Sequence, residues 1–209
     1  MDEIAAFFES CFEDRLDDAA SQLKQNSALI ESRHIGGRTP LHQAAFGGSL
    51  RVAELLIASK ADVNAVTEYG WVPLHYAAAP LSESVAELLI RNGALPNALT
   101  DDGSTPLHFA ADFGEVAMAR LLMSSGADVN VRNQDGQTAL DFAEPDSELA
   151  AMLLAKGALS GNPIKIDPDA TLPDWLQGHE GAITELLNTV EEQWNTPDRG
   201  HISDGGKSG

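Results

Sequence analysis

The chain has 209 residues, 43% of them hydrophobic, which is enough to bury a core and too apolar for a wholly disordered chain. Its 13 lysines and arginines stand against 32 aspartates and glutamates, so the formal net charge is −19 and the summed field repels a phosphate backbone or an anionic membrane. Cys11 is the sole cysteine, which rules out an intramolecular disulfide and a thiolate-rich zinc site and fits a reducing compartment.

The first segment, MDEIAAFFESCFEDR, carries acidic residues where a secretory signal needs a basic stretch, and Glu9, Glu13 and Asp14 interrupt its apolar positions. Its spacing predicts a helix over about residues 3–14, with Cys11 buried beside Phe8 and Phe12. No apolar run approaches the roughly 18 residues that a membrane span needs. A soluble intracellular protein is expected, cytoplasmic by default with the nucleus left open.

Further along, a period takes over. The segments GGRTPLHQAA, YGWVPLHYAA, DGSTPLHFAA and DGQTALDFAE place Gly37, Gly70, Gly103 and Gly136 at intervals of 33 residues. Asn64, Asn97 and Asn130 keep that interval, as do Leu55-Leu56, Leu88-Leu89 and Leu121-Leu122. Within each unit the signals predict two helices. Thr39 and Thr105 precede a proline, an arrangement that pairs an oxygen able to cap free N–H groups with a residue pre-set for the first turn. The first helix is short and carries Ala44-Ala45, Ala77-Ala78 or Ala110-Ala111, small enough for a neighbouring helix to approach closely. Gly48 and Gly114 turn the chain into a second helix with Val52, Leu55 and Leu56 on one side, and Gly93 and Gly126 end it. A helix pair this small cannot bury its apolar face alone, so units must stack into an elongated core.

The 33-residue period with TPLHQAA, TPLHFAA, GADVN and GALPNA resembles the ankyrin-repeat family. The resemblance implies an all-α solenoid of helix-turn-helix units joined by β-hairpin-like loops. Its divisions are a degenerate N-terminal capping repeat (1–36), repeats at 37–69, 70–102 and 103–135, and a shortened C-terminal capping repeat (136–159). It also implies structural roles for Thr39, His42, His75, Thr105 and His108 around the helix starts, and for Asn64, Asn97 and Asn130 in the connections between repeats.

Several positions depart from the pattern. Val72 replaces the capping threonine, a loss expected to cost about 1 kcal/mol. Lys60 stands where Gly93 and Gly126 stand, and Pro80-Leu81 replaces the Gly47-Gly48 turn. In the last unit Ala139 and Asp141 replace the proline and histidine, and Gly157 follows Thr138 by 19 residues where Gly126 follows Thr105 by 21.

From Ser160 the sequence changes in kind. Gly161, Pro163, Pro168 and Pro173 predict an irregular linker in the tail 160–209, which ends in the polar ISDGGKSG, read as disordered. Between them Ile183, Leu186, Leu187, Val190 and Trp194 form the apolar stripe of a short amphipathic helix over about 179–194. Together with Trp175 and Leu176, that stripe either packs on the last repeat or docks in a partner groove.

Three histidines at the repeat interval invite a metal assignment, but one per repeat sets successive rings about 8 to 10 Å apart, whereas zinc needs its nitrogens at about 2.0 to 2.1 Å. No HExxH, phosphate-cradling glycine loop or GxSxG elbow is present. No catalytic residue, cofactor or metal is assigned, and the chain is expected not to be an enzyme. In the family that the sequence resembles, partners are met by the hairpin tips and the concave face of the first helices. This singles out Ile35, Arg38, Glu68, Tyr69, Trp71, Asp101, Asp102 and Asp135 at the tips, and Phe46, Asp112 and Phe113 after the alanine pairs. Trp71 either binds or packs on the neighbouring hairpin, and Tyr76, Phe109 and Phe142 lie nearer the core. Alanine at both Tyr69 and Trp71 is expected to weaken binding and leave melting nearly unchanged. The expected role is a monomeric adaptor or regulatory subunit for a protein partner of basic and apolar character, with neither nucleic acid nor membrane as a partner. The alternative is an acidic inhibitor, or immunity-like protein, that blocks a basic active site or a nucleic-acid-binding groove.

Overall fold

The computed structural model describes residues 3–78 and 82–161, so the Pro80-Leu81 turn and the tail with its stripe from Ile183 to Trp194 lie outside the described residues. Ten α-helices run through those residues in pairs, and no strand occurs among them. The pairs are α1 (Glu3–Phe12) with α2 (Leu16–Gln25), α3 (Pro40–Gly47) with α4 (Leu50–Ala58), α5 (Pro73–Ala77) with α6 (Glu83–Arg91), α7 (Pro106–Asp112) with α8 (Val116–Ser124), and α9 (Ala139–Phe142) with α10 (Glu148–Ala155). First helices pack in one row, α1 on α3, α3 on α5, α5 on α7 and α7 on α9. Second helices pack in another, from α2 through α4, α6 and α8 to α10. This is the all-α repeat solenoid that the period predicts.

The residues that recur are those the stacking needs. The alanine pairs are buried where first helices meet, and methyl side chains let the backbones close on one another. Each leucine pair divides: Leu56, Leu89 and Leu122 are fully buried, while Leu55, Leu88 and Leu121 are partly so. A leucine taken wholly out of water contributes about 2 kcal/mol, so one per unit is a large share of a small repeat's stability. A single core cluster runs from Phe7 and Cys11 to Leu153 and Ala158.

The degenerate first unit is fastened by contacts the period does not announce. Ser49 Oγ donates to the carbonyl of Phe12 at 2.7 Å, and the Val52 N–H donates to Asp14 Oδ1 at 2.9 Å. Gly47 is required there, since a Cβ would stand 2.2 Å from that same Phe12 oxygen. Cys11 lies fully buried in this joint, and burial pushes its thiol up to about 12, an inert group.

The loops between units are hairpins closed by two main-chain hydrogen bonds each, too short to count as strands. The N–H groups of His34, Thr67, Thr100 and Asn133 donate to the carbonyls of Arg38, Trp71, Ser104 and Gln137 at 2.8 to 2.9 Å. Successive hairpins are also joined sideways: Glu68 N–H donates to Gly36, Asp101 N–H to Tyr69, and Gln134 N–H to Asp102. The tips are thus held in large part by backbone, which leaves Ile35 and Tyr69 exposed there.

Candidate functional site

The histidines form the joints between units. The Thr39 N–H donates to His42 Nδ1 at 3.1 Å, and His42 Nε2 lies 3.0 Å from the carbonyl of Trp71, a residue of the next hairpin. Since a backbone N–H only donates, the ring proton sits on Nε2, and both nitrogens are occupied within the fold. His108 repeats this with Thr105 N–H at 3.1 Å and the carbonyl of Gln137 at 3.1 Å. The threonine hydroxyls, expected to cap free helix N–H groups, instead lie 2.8 Å from Nδ1 of their histidines. Val72 is tolerated for that reason. Its N–H still donates to His75 Nδ1 at 3.0 Å, while His75 Nε2 meets the carbonyls of Ala98 and Ser104, so the valine forgoes only the hydroxyl contact. Burial holds the imidazoles of His42 and His75 down at about 4, against the partial upward pull of the carbonyls they donate to.

The asparagines bridge units in the same way. Nδ2 of Asn64, Asn97 and Asn130 donates to the carbonyls of Gly93, Gly126 and Gly157 at 2.9 to 3.0 Å. Their Oδ1 atoms accept from the N–H groups of Leu95, Asp128 and Leu159 at 2.8 to 3.1 Å. With both ends of each amide used, these side chains belong to the scaffold.

The residues singled out for binding fall into two groups. Ile35 (78% exposed) and Tyr69 (64%) project at the tips, beside the exposed Glu68, Asp101, Asp102 and Asp135. Arg38 is half-buried, with Nε 3.3 Å from the Ile35 carbonyl. The second group lies along the first helices. Ring contacts connect Phe12 to Phe46 (5.9 Å between centroids), Phe46 to Tyr76 (6.1 Å), Tyr76 to Trp71 (5.2 Å) and Trp71 to Phe109 (4.5 Å). Trp71 therefore leaves its neighbour Tyr69 and joins the helix row as a half-buried ring. Tyr76 and Phe109, read from sequence as nearer the core, are half-buried in that same row. Phe46 and Phe113 are about half exposed, at 49% and 50%.

Past Trp71 the row opens into a hollow of about 230 Å³ between α7 and α9, lined by Phe109, Phe142, His108, Asp102, Asp112 and Asp135 together with Ser104, Asn133 and Gln137. Asp102 is held in place: Ser104 Oγ donates to Oδ2 at 2.9 Å and Thr100 Oγ1 donates to Oδ1. Burial alone would raise its carboxyl, but these hydrogen bonds outweigh that and hold it below the ordinary value.

Three residues that organise the tips were not singled out from the sequence. Thr67 Oγ1 accepts from the Trp71 N–H at 3.1 Å, Thr100 Oγ1 from the Ser104 N–H at 3.0 Å, and Asn133 Oδ1 from the Gln137 N–H at 2.9 Å. The signal was present, because a short polar side chain three residues before Gly70, Gly103 and Gly136 is a turn-former that bonds its own backbone.

Stacked helix pairs, hairpin tips joined by main chain and an aromatic first-helix face define a repeat solenoid built to present surface. The family model described as "Ankyrin repeats (3 copies)" matches residues 8–99 and 79–163, and the protein belongs to the ankyrin-repeat family. Ankyrin repeats generally mediate protein–protein interaction and are typically non-enzymatic. Comparison with curated proteins finds no match. Among the described residues no helix is long and apolar enough to cross a membrane.

Proposed function

We propose that the chain is a monomeric, intracellular adaptor or regulatory subunit that binds a protein partner of basic and apolar character across its hairpin tips and first-helix face. The observation that supports this most directly is the exposure of Phe46, Phe113 and Tyr69, large rings that the backbone-held scaffold does not need. Rigid aromatics of this kind carry a disproportionate part of interface energy. The net charge of −19 favours a basic partner.

A displayed library of random peptides panned on the full chain tests the reading. Peptides that bind should lose about tenfold or more in affinity when Phe46, Tyr69 and Phe113 are all changed to alanine, with the helical circular dichroism unchanged. Undiminished binding to that triple variant would sink it. Salt separates the acidic-inhibitor alternative, because a charge-driven complex weakens steeply toward physiological ionic strength whereas one anchored by aromatics does not.

A further inference from the structure

The hollow between α7 and α9 carries both rings and unpaired negative charge. Ion pairs among the described residues are made by Arg15, Arg91 and Arg120, and none of them involves Asp102, Asp112 or Asp135. His108, the one ionisable nitrogen base in the lining, accepts at Nδ1 from the Thr105 N–H and donates from Nε2 to Gln137, so as a neutral ring it leaves that charge uncancelled. We propose that this hollow receives an arginine side chain of the protein partner, whose apolar neighbours then lie on the adjoining row of Trp71, Tyr76 and Phe46. The inference rests on the reading of the first-helix face as a binding surface and specifies what that surface recognises.

The chemistry selects the occupant. An anion is repelled by three carboxylates, and a purely apolar side chain would desolvate them without compensation. A guanidinium satisfies both kinds of wall: it is a planar cation that stacks on aromatic faces and directs several N–H groups in its plane toward carboxylate oxygens. Lysine shares the charge and lacks the planar fork. Asp102, already fixed by Thr100 and Ser104, supplies one acceptor without further ordering. The Phe109 ring faces both environments, since it lines the hollow and lies 4.5 Å from Trp71, so a single extended segment can occupy both.

The probe is N-acetyl-arginine amide, titrated into the full chain and followed by the ring resonances of Phe109 and Phe142. N-acetyl-citrulline amide, of the same shape without the charge, and N-acetyl-lysine amide serve as comparisons. Arginine should saturate those shifts in the millimolar range, with both comparison compounds about tenfold weaker or more. The exposed pair Asp112→Asn with Asp135→Asn should retain the circular dichroism spectrum and lose about tenfold in arginine affinity; Asp135→Asn alone serves if the double variant does not fold. Equal responses to arginine and citrulline, equal responses to arginine and lysine, or an unchanged response in the asparagine variants would each overturn the assignment. Library peptides that lack arginine, ignore the asparagine changes and still lose affinity in the Phe46, Tyr69 and Phe113 triple variant would overturn it too, while leaving the broader binding surface standing.

Discussion

Asp141 and the three histidines occupy one register position and use it in opposite senses. His42, His75 and His108 each reach forward to a carbonyl of the next hairpin. The carboxylate of Asp141 collects donors instead: the Thr138 N–H at 2.8 Å, Ser160 Oγ and the Gly161 N–H. Burial pushes the Asp141 carboxyl up, and those donors more than reverse the push. Where the position meets a hairpin carbonyl it needs a donor, and where it meets Ser160 and the Gly161 N–H it needs an acceptor, so the residue found there follows what the next segment offers.

Exchanging the two should break the comparison most forcefully. His75→Asp would set a buried carboxylate against the carbonyls of Ala98 and Ser104, at an expected loss of about 4 kcal/mol in chemical denaturation. A loss below about 1 kcal/mol would show that the carbonyls are satisfied by other means.

The histidines also make the interior sensitive to pH, in a direction set by burial. His42 and His75 stay neutral in the fold down to about 4, below the 6.5 of a free imidazole, so the unfolded chain takes up protons that the folded chain refuses. Stability is complete above about pH 7 and declines as pH falls from 6.5 toward 4, by about 2 kcal/mol for each of these two rings at about pH 5. Denaturation midpoints should therefore drop between about pH 7 and 5, and a flat profile would mean that the rings admit protons within the fold.

Most of the scaffold was legible because each recurring residue answers a local demand, such as a proline at a helix start or an alanine where helices touch. The binding face was less so. Tyr69 and Trp71 flank the same glycine, and sequence leaves open whether Trp71 binds or packs; that its ring joins the helix row depends on Tyr76 and Phe109, residues of two different units. The hollow was hidden for the same reason, since its lining comes from α7, α9 and two hairpins.

The expectation that alanine at Tyr69 and Trp71 together spares stability is revised by that divergence. Trp71→Ala should cost about 2 kcal/mol through lost packing on Tyr76 and Phe109, whereas Tyr69→Ala should stay within about 0.5 kcal/mol of the parent protein. Thermal melts of the two single variants check the separation, and equal losses would place both rings in one environment.

The smallest expected effect concerns how the second helices α4, α6, α8 and α10 end. The N–H groups of Gly93, Gly126 and Gly157 donate to the third residue back and those of Ala94, Ala127 and Ala158 to the fifth, and the same two bonds recur as Lys60 to Ile57 and Ala61 to Leu56, each at 3.0 Å. The geometry requires a left-handed residue, and Lys60 adopts it at φ 75° where the other three ends have glycine. A side chain in that conformation is strained by about 1 kcal/mol, and Lys60 is exposed, so Lys60→Gly should remove strain without opening a cavity. Glycine also loosens the unfolded chain, which subtracts from the gain. A net stabilisation of about 0.5 kcal/mol, seen as a melting point raised by about 1 to 2 °C, is expected. A lowered melting point would mean that the lysine stem packs on α4 strongly enough to offset its own backbone strain, making this unit's end a different device from the other three.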